Sequence, residues 1–220
     1  MRDLTVTQEY MICALNGKGK ISGFNVERVI CFIASGLLEM KMENCIEIEN
    51  KKVRVTGELP EHLMHLRPLY NVISSKTKPI KIEKILEDYY YTISDKNLTE
   101  LMNSVGKSLK DAGLAEETET GFFGKRKGYV PTKQAIHYVI DMVRSELLEE
   151  GEVTEDIAVL VILLERGKII KKYFSDFEQK EMKGRIKEIV SSEDGRMVKE
   201  MIEYIENMMA TMTVLMVMYS

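Results

Sequence analysis

The chain has 220 residues, 45% of them hydrophobic and 30% charged, with a formal net charge of −4. That length can bury a sizeable core in one large or two small units, and the composition is ordinary for a soluble globular protein. The mild negative charge excludes a global attraction to nucleic acid or to an anionic membrane, so any anion-binding surface has to be local. Cys13, Cys31 and Cys45 are odd in number and set among apolar neighbours, which reads as buried free thiols in a reducing compartment. No signal-peptide pattern and no apolar run of ~18 residues is present, so no membrane span is expected.

In chain order, Thr5 and Gln8 make a capping-box pattern that starts a helix over Leu4 to Leu15, and NGKGK at 16–20 ends it. Asn25 is placed to cap a second helix to about Met42, with Val29, Phe32, Ile33, Gly36, Leu37 and Met40 on one face. Gly36 there implies a close helix–helix approach, against a propensity cost of ~1 kcal/mol relative to Ala. The period then changes to two. Ile46 and Ile48 alternate with Glu47 and Glu49, ENKK turns, and Val53 and Val55 flank Arg54, the pattern of a small antiparallel hairpin. Glu61 to Ser74 is helical in period, with Pro68 forcing a kink or a break. KTKP at 76–79 reads as a linker before a helix around Ile82 to Tyr91. Asp95 stands at the cap of the next helix, which carries Leu98, Leu101, Met102, Val105 and Leu109 on its apolar face and ends at Gly113. A second hairpin follows, from LAEETET through the tip GFFGKRKG to YVPT, and then a helix capped by Thr132 and reaching about Glu149.

The segment Thr154 to Arg166, TEDIAVLVILLER, organises the rest. Ile157 to Leu164 is apolar on every side and too short for a bilayer, so it belongs in the centre of a core. Thr154 suits the N-cap, Glu155 and Asp156 suit the positive end of the helix, and Gly167 supplies the stop. A helix around Asp176 to Val190 and a Met-rich helix from Met197 to the end follow, the latter read as a core helix because Thr211 and Thr213 interrupt it. The expected class is mainly α: a single compact helical domain, residues 1–220, around a buried central helix, with small β-hairpins.

Catalytic constellations are scarce. His62 and His65 could share a metal, but no third ligand stands at a useful spacing, so they read as surface or boundary histidines and no metal is expected. His137, alone within a helix, reads as structural. No GxSxG, HExxH or phosphate-cradling loop is present, and neither an enzyme nor a cofactor is expected. Glu116, Glu117 and Glu119 read as a solvated acidic face. The repeated layout of a helix followed by a hairpin has the form of two tandem winged helices, which would make a DNA-binding regulator. The glutamates of the first hairpin and the lack of a basic helical stripe argue against a nucleic-acid partner. The informative stretch is Gly121 to Gly128. Phe122 and Phe123 followed by Lys125, Arg126 and Lys127 combine apolar insertion with cationic attraction, and glycines at both ends make a tip easy to build. Such a tip suits an anionic lipid surface. The residues equally allow the phenylalanines to pack on the protein's own body or on another subunit.

The opening DLTVTQEYMICALNGKGKI, the stretch FNVERVICFIASGLLEMKMENCI and the segment KSLKDAGLAEETETGFFGKRKGYVPT resemble the Golgi phosphoprotein 3 family, and the apolar central helix has a counterpart there. The resemblance covers nearly the whole chain and implies one mainly helical domain in place of tandem winged helices. It implies a non-enzymatic, cytoplasmic, peripherally membrane-associated protein that reads phosphatidylinositol 4-phosphate, or an adaptor with a protein client, and a compact member of bacterial type. Carried over by position, the pocket aromatic falls on Phe24, while the basic pocket positions fall on Ile33, Thr99 and Met102, so all three charges are missing. A phosphomonoester needs two or three converging charged donors. Arg28 and Lys107, each about a turn away, are the substitutes on offer. The hairpin aligns without a gap, its apolar tip on Phe122 and Phe123 and its closing proline on Pro131. The expected partners are an anionic membrane lipid and further copies in a homo-oligomer; the alternative is a soluble homo-oligomeric interaction protein.

Overall fold

A computed structural model describes residues 4–21, 25–90, 95–120, 126–149, 151, 153–192 and 195–218. Helix α1 spans Val6–Ala14, and its capping box forms as the sequence requires: the Thr5 hydroxyl accepts from the Gln8 amide while the Gln8 side chain accepts from the Thr5 amide. Helix α2 spans Val26–Met42. Strands β1 (Ile46–Glu49) and β2 (Lys52–Val55) pair antiparallel with Ile46 opposite Val55, turning through Asn50 and Lys51 at φ 49 and 59. A 3-10 turn over Glu61–Leu66 then runs into α3, Arg67–Ser74. Pro68 stands in the first turn of α3, where its missing N–H costs nothing, so the chain breaks there. The KTKP stretch leads straight into β3, Ile80–Lys81, which pairs with β2 and turns the expected hairpin into a three-stranded sheet of order β1-β2-β3.

Helix α4 spans Ile82–Tyr90 and α5 spans Lys96–Asp111. Asp95 precedes α5 at φ 39 but makes no side-chain cap; its carboxylate accepts both Arg126 guanidinium bonds, at 2.7 and 3.1 Å. Strands β4 (Ala115–Thr120) and β5 (Arg126–Pro131) form the second hairpin, paired from Ala115 with Pro131 to Thr120 with Arg126. Thr132 caps α6, Lys133–Leu148, by accepting from the Ala135 amide. Helices α7 (Glu155–Arg166), α8 (Asp176–Ser191) and α9 (Arg196–Met218) complete the order. The molecule is mainly α with small antiparallel sheets.

Helix α7 is the centre. Every residue from Ile157 to Leu164 is at most 6% exposed, and the helix packs against α1, α2, α6 and α9. At ~1.5–3 kcal/mol for each fully buried aliphatic side chain, this element holds the others in place. Thr154 caps it by accepting from the Ile157 amide. At its other end the positive φ of 56 falls on Lys168, one residue past Gly167. Gly36 serves the close approach expected of it: a Cβ there would lie 3.0 and 3.2 Å from the Leu69 and Leu66 side chains. Cys13, Cys31 and Cys45 are buried and free.

Other expectations need correction, the first being the cap of α2, where the Asn25 side chain makes no capping bond. His65 is a buried residue of the 3-10 turn, where Thr5 and Glu39 give its ring polar partners, whereas His137 is exposed on α6. Helix α9 is a core helix on one face alone. Met201, Ile205, Met208, Met212 and Leu215 are buried, but Val214, Met216, Val217 and Met218 stand in solvent. Among the described residues no helix is long and apolar enough to cross a membrane.

Candidate functional site

The second hairpin is fixed at its root by α5. Tyr129 on β5 is 4% exposed and its ring lies over Gly106, where any Cβ would overlap it. The Tyr129 amide donates to the Gly19 carbonyl at 3.2 Å, tying the loop after α1 to the same strand. This packing brings the exposed faces of α5 and the hairpin together. Lys107 and Lys110 on α5 stand beside Lys127 on β5, and all three act electrostatically on the Tyr129 phenol, which burial and Glu117 push up. Glu117 on β4 is the counter-charge. It accepts from Lys110 at 2.6 Å and from Lys127 at 2.8 Å, which hold its carboxyl down at about 2. Lys107 pairs with Asp111 at 2.6 Å, and that bond raises its ammonium above the ordinary range. Arg126 makes its fork to Asp95 one strand position further out.

Of the residues expected to meet a lipid, Lys107 and Lys127 lie together, with Lys110 as a member the sequence reading missed, while Arg126 on the same strand pairs with Asp95. The Lys107/Lys110 spacing of three on one helix was its visible signal. Phe24, Phe122, Phe123 and Lys125 lie outside the described residues. Arg28 belongs elsewhere: its guanidinium Nε donates at 3.3 Å to the Gly167 carbonyl just past α7, and its own carbonyl accepts from Tyr10 at 3.1 Å.

A second polar region adjoins this surface along α1 and the end of α5. A cleft of about 900 Å³ is lined by Thr5, Gln8, Glu39, His62 and His65, among others. Thr7 donates to Glu39 at 2.6 Å, and His65 Nε2 lies 3.1 Å from Thr5 Oγ1 and 3.9 Å from Glu39. His62 points instead to Glu43 at 3.4 Å, so the two histidines do not converge. Among the described residues no three His, Cys, Asp or Glu are grouped to hold a metal ion. Glu9, 5% exposed, lies near Glu39 and Asp156; burial first, and then Asp156, Glu39 and Glu146, push its carboxyl up to about 8.

The chain matches the model of the Golgi phosphoprotein 3 (GPP34) family over residues 6–205. It belongs to that family. No curated protein matches it. The positions expected from the resemblance to carry the pocket's charges have clear environments. Ile33 is fully buried in α2, and Thr99 and Met102 are half-buried on α5, Met102 against the core.

Proposed function

We propose that this chain is a non-enzymatic peripheral membrane-binding or adaptor protein of the cytoplasm that meets anionic lipid through the face formed by α5 and the second hairpin. The match to the Golgi phosphoprotein 3 family over residues 6–205 carries the reading. The cluster of Lys107, Lys110, Arg126 and Lys127 around that hairpin supports it. With Ile33, Thr99 and Met102 at the family's basic positions, recognition is of anionic charge in general, and the tip residues Phe122 and Phe123 supply apolar contact. Burying both could contribute ~1.5–3 kcal/mol each as an upper range, and a basic residue near an anionic leaflet roughly 1 kcal/mol. Ordering and immobilisation cost several kcal/mol, so useful affinity needs more than one hairpin per assembly. The test is flotation with neutral and anionic vesicles. The parent protein should float with the anionic ones, and the double variant Phe122→Ser, Phe123→Ser should lose flotation while keeping its helical circular dichroism. A double variant that floats as well as the parent removes the hairpin from the account. A parent that never floats but sediments as an oligomer identifies a soluble interaction protein.

A further inference from the structure

The last turns of α9 are at odds with the rest of the surface. From Asn207 to Met218 the helix has no charged residue. Its buried stripe already fills the core, yet Val214 is 58% exposed, Val217 74% and Met218 68%. With the exposed Ala210 these lie at i, i+4, i+7 and i+8, one continuous apolar stripe facing away from the protein. Such a stripe is costly in water unless something covers it.

What lies beside it is basic. Ala210, Thr211 and Val214 form one wall of a cleft whose other wall is Lys51, Lys52 and Lys81. Lys52 and Lys81 are direct partners across β2 and β3, and the chain leading into β3 adds Lys76 and Lys78. All five lysines are exposed, and among the described residues none of their side chains makes an ion pair or hydrogen bond. The lysines at the hairpin root differ in this respect, since each is held by a carboxylate. Glu83 lies in that cleft, Glu49 lies opposite Lys52, and Lys84, which lines a neighbouring cleft with Lys76 and Lys78, is paired with Glu87 and Asp88, so the balance of these residues stays positive by two. The helix C-terminus adds a partial negative charge of about one half, which does not reverse it.

We infer that this face, the exposed stripe of α9 flanked by Lys51, Lys52, Lys76, Lys78 and Lys81, is a second membrane-docking surface that lies flat on an anionic bilayer. An apolar helix face bordered by unpaired lysines is the composition that enters the headgroup boundary: side chains such as Val214, Val217 and Met218 leave water while the lysines meet lipid phosphates and carboxylates. A second copy of the chain would bring five lysines against five, and charge complementarity therefore favours lipid over self-association. The inference shares with the proposed function only the class of partner, and it stands apart from the hairpin.

The test reads the two surfaces separately. The native thiols are all buried, and burial pushes those of Cys13 and Cys31 up to about 12, so an introduced cysteine takes a maleimide dye selectively. Val217→Cys and, in a second protein, Phe122→Cys are each labelled with an environment-sensitive fluorophore and mixed with vesicles of phosphatidylcholine alone or with phosphatidylserine. The position-217 label should shift to the blue with phosphatidylserine vesicles only, and Lys51→Glu, Lys52→Glu, Lys81→Glu in the same protein should reduce the apparent partition at least tenfold. A shift at 122 without one at 217 overturns this surface and leaves the hairpin reading intact. A shift at 217 alone upholds it and removes the hairpin. No shift at either position overturns both, and a 217 label already blue-shifted without vesicles in a protein eluting as a dimer assigns the face to self-association instead.

Discussion

Glu9 is the residue with the most unusual environment. It sits in α1 among fully buried Tyr10, Met11 and Ile12, with Glu39 and Asp156 nearby, so its protonated form is favoured. The consequence for stability has a definite sign. Below pH 4.5 the carboxyl is protonated in the folded and the unfolded chain alike, and it carries no penalty. Between 4.5 and about 8 the unfolded chain releases the proton and the folded one does not, so stability falls as pH rises through that window and levels off above it. The loss is on the order of several kcal/mol for a group buried this deeply. Glu9→Gln should flatten that fall: thermal unfolding at pH 5 and pH 8.5 should differ less in the variant than in the parent, and an equal difference in both would show that Glu9 ionises without penalty. Gly106 makes the second prediction at this scale. A methyl group there overlaps the Tyr129 ring, so Gly106→Ala has to displace the strand from α5. A destabilisation of about 1–3 kcal/mol in urea unfolding is expected, the usual cost of overpacking.

The second hairpin is an element whose charge is largely neutralised from within. Glu117 holds both Lys110 and Lys127, and with its carboxyl near 2 it remains charged at any working pH. Glu117→Gln keeps the shape of the side chain and releases two lysines to face a membrane. At roughly 1 kcal/mol per freed lysine near an anionic leaflet, the two should tighten binding to phosphatidylserine vesicles by up to about thirtyfold, measured by co-sedimentation. Unchanged binding would mean that this face does not approach the bilayer. The hairpin itself was legible in the sequence, since GFFGKRKG separates two strand-like runs that close with a proline and a threonine cap. Helix α7 was legible too, because eight apolar residues in a row have no place but the interior. Strand β3 was not: two residues show no period, and only the free edge of β2 makes them a strand. The outer stripe of α9 was hidden for another reason. Val214 and Met218 are the same residue types as those on its buried face, and which side faces water is decided by where α2, α4 and α7 pack. The convergence of Lys107 with Lys127 was equally out of reach, because it depends on Tyr129 seating over Gly106.

At the scale of the whole molecule, a net charge of −4 means that long-range attraction to an anionic surface is absent, and association depends on local basic surfaces at close range. Headgroup selectivity requires a desolvated pocket with converging charges, and here Ile33 is fully buried while Arg28 is turned to the Gly167 carbonyl. Exposed lysines behave differently. They respond to the total charge of a leaflet, discriminate poorly between positions of a phosphate, and are screened over ~8 Å at physiological ionic strength and ~3 Å at 1 M. Vesicles matched in total charge but differing in headgroup should therefore bind this protein alike, with less than a tenfold advantage for phosphatidylinositol 4-phosphate, the equivalent of ~1.4 kcal/mol. Binding should also be largely gone at about 0.5 M salt, between the two screening limits. A preference of tenfold or more that survives such salt would require a pocket in which Arg28 or Lys107 has left its present partner for the phosphate, and substituting each by Met would then show which one had moved.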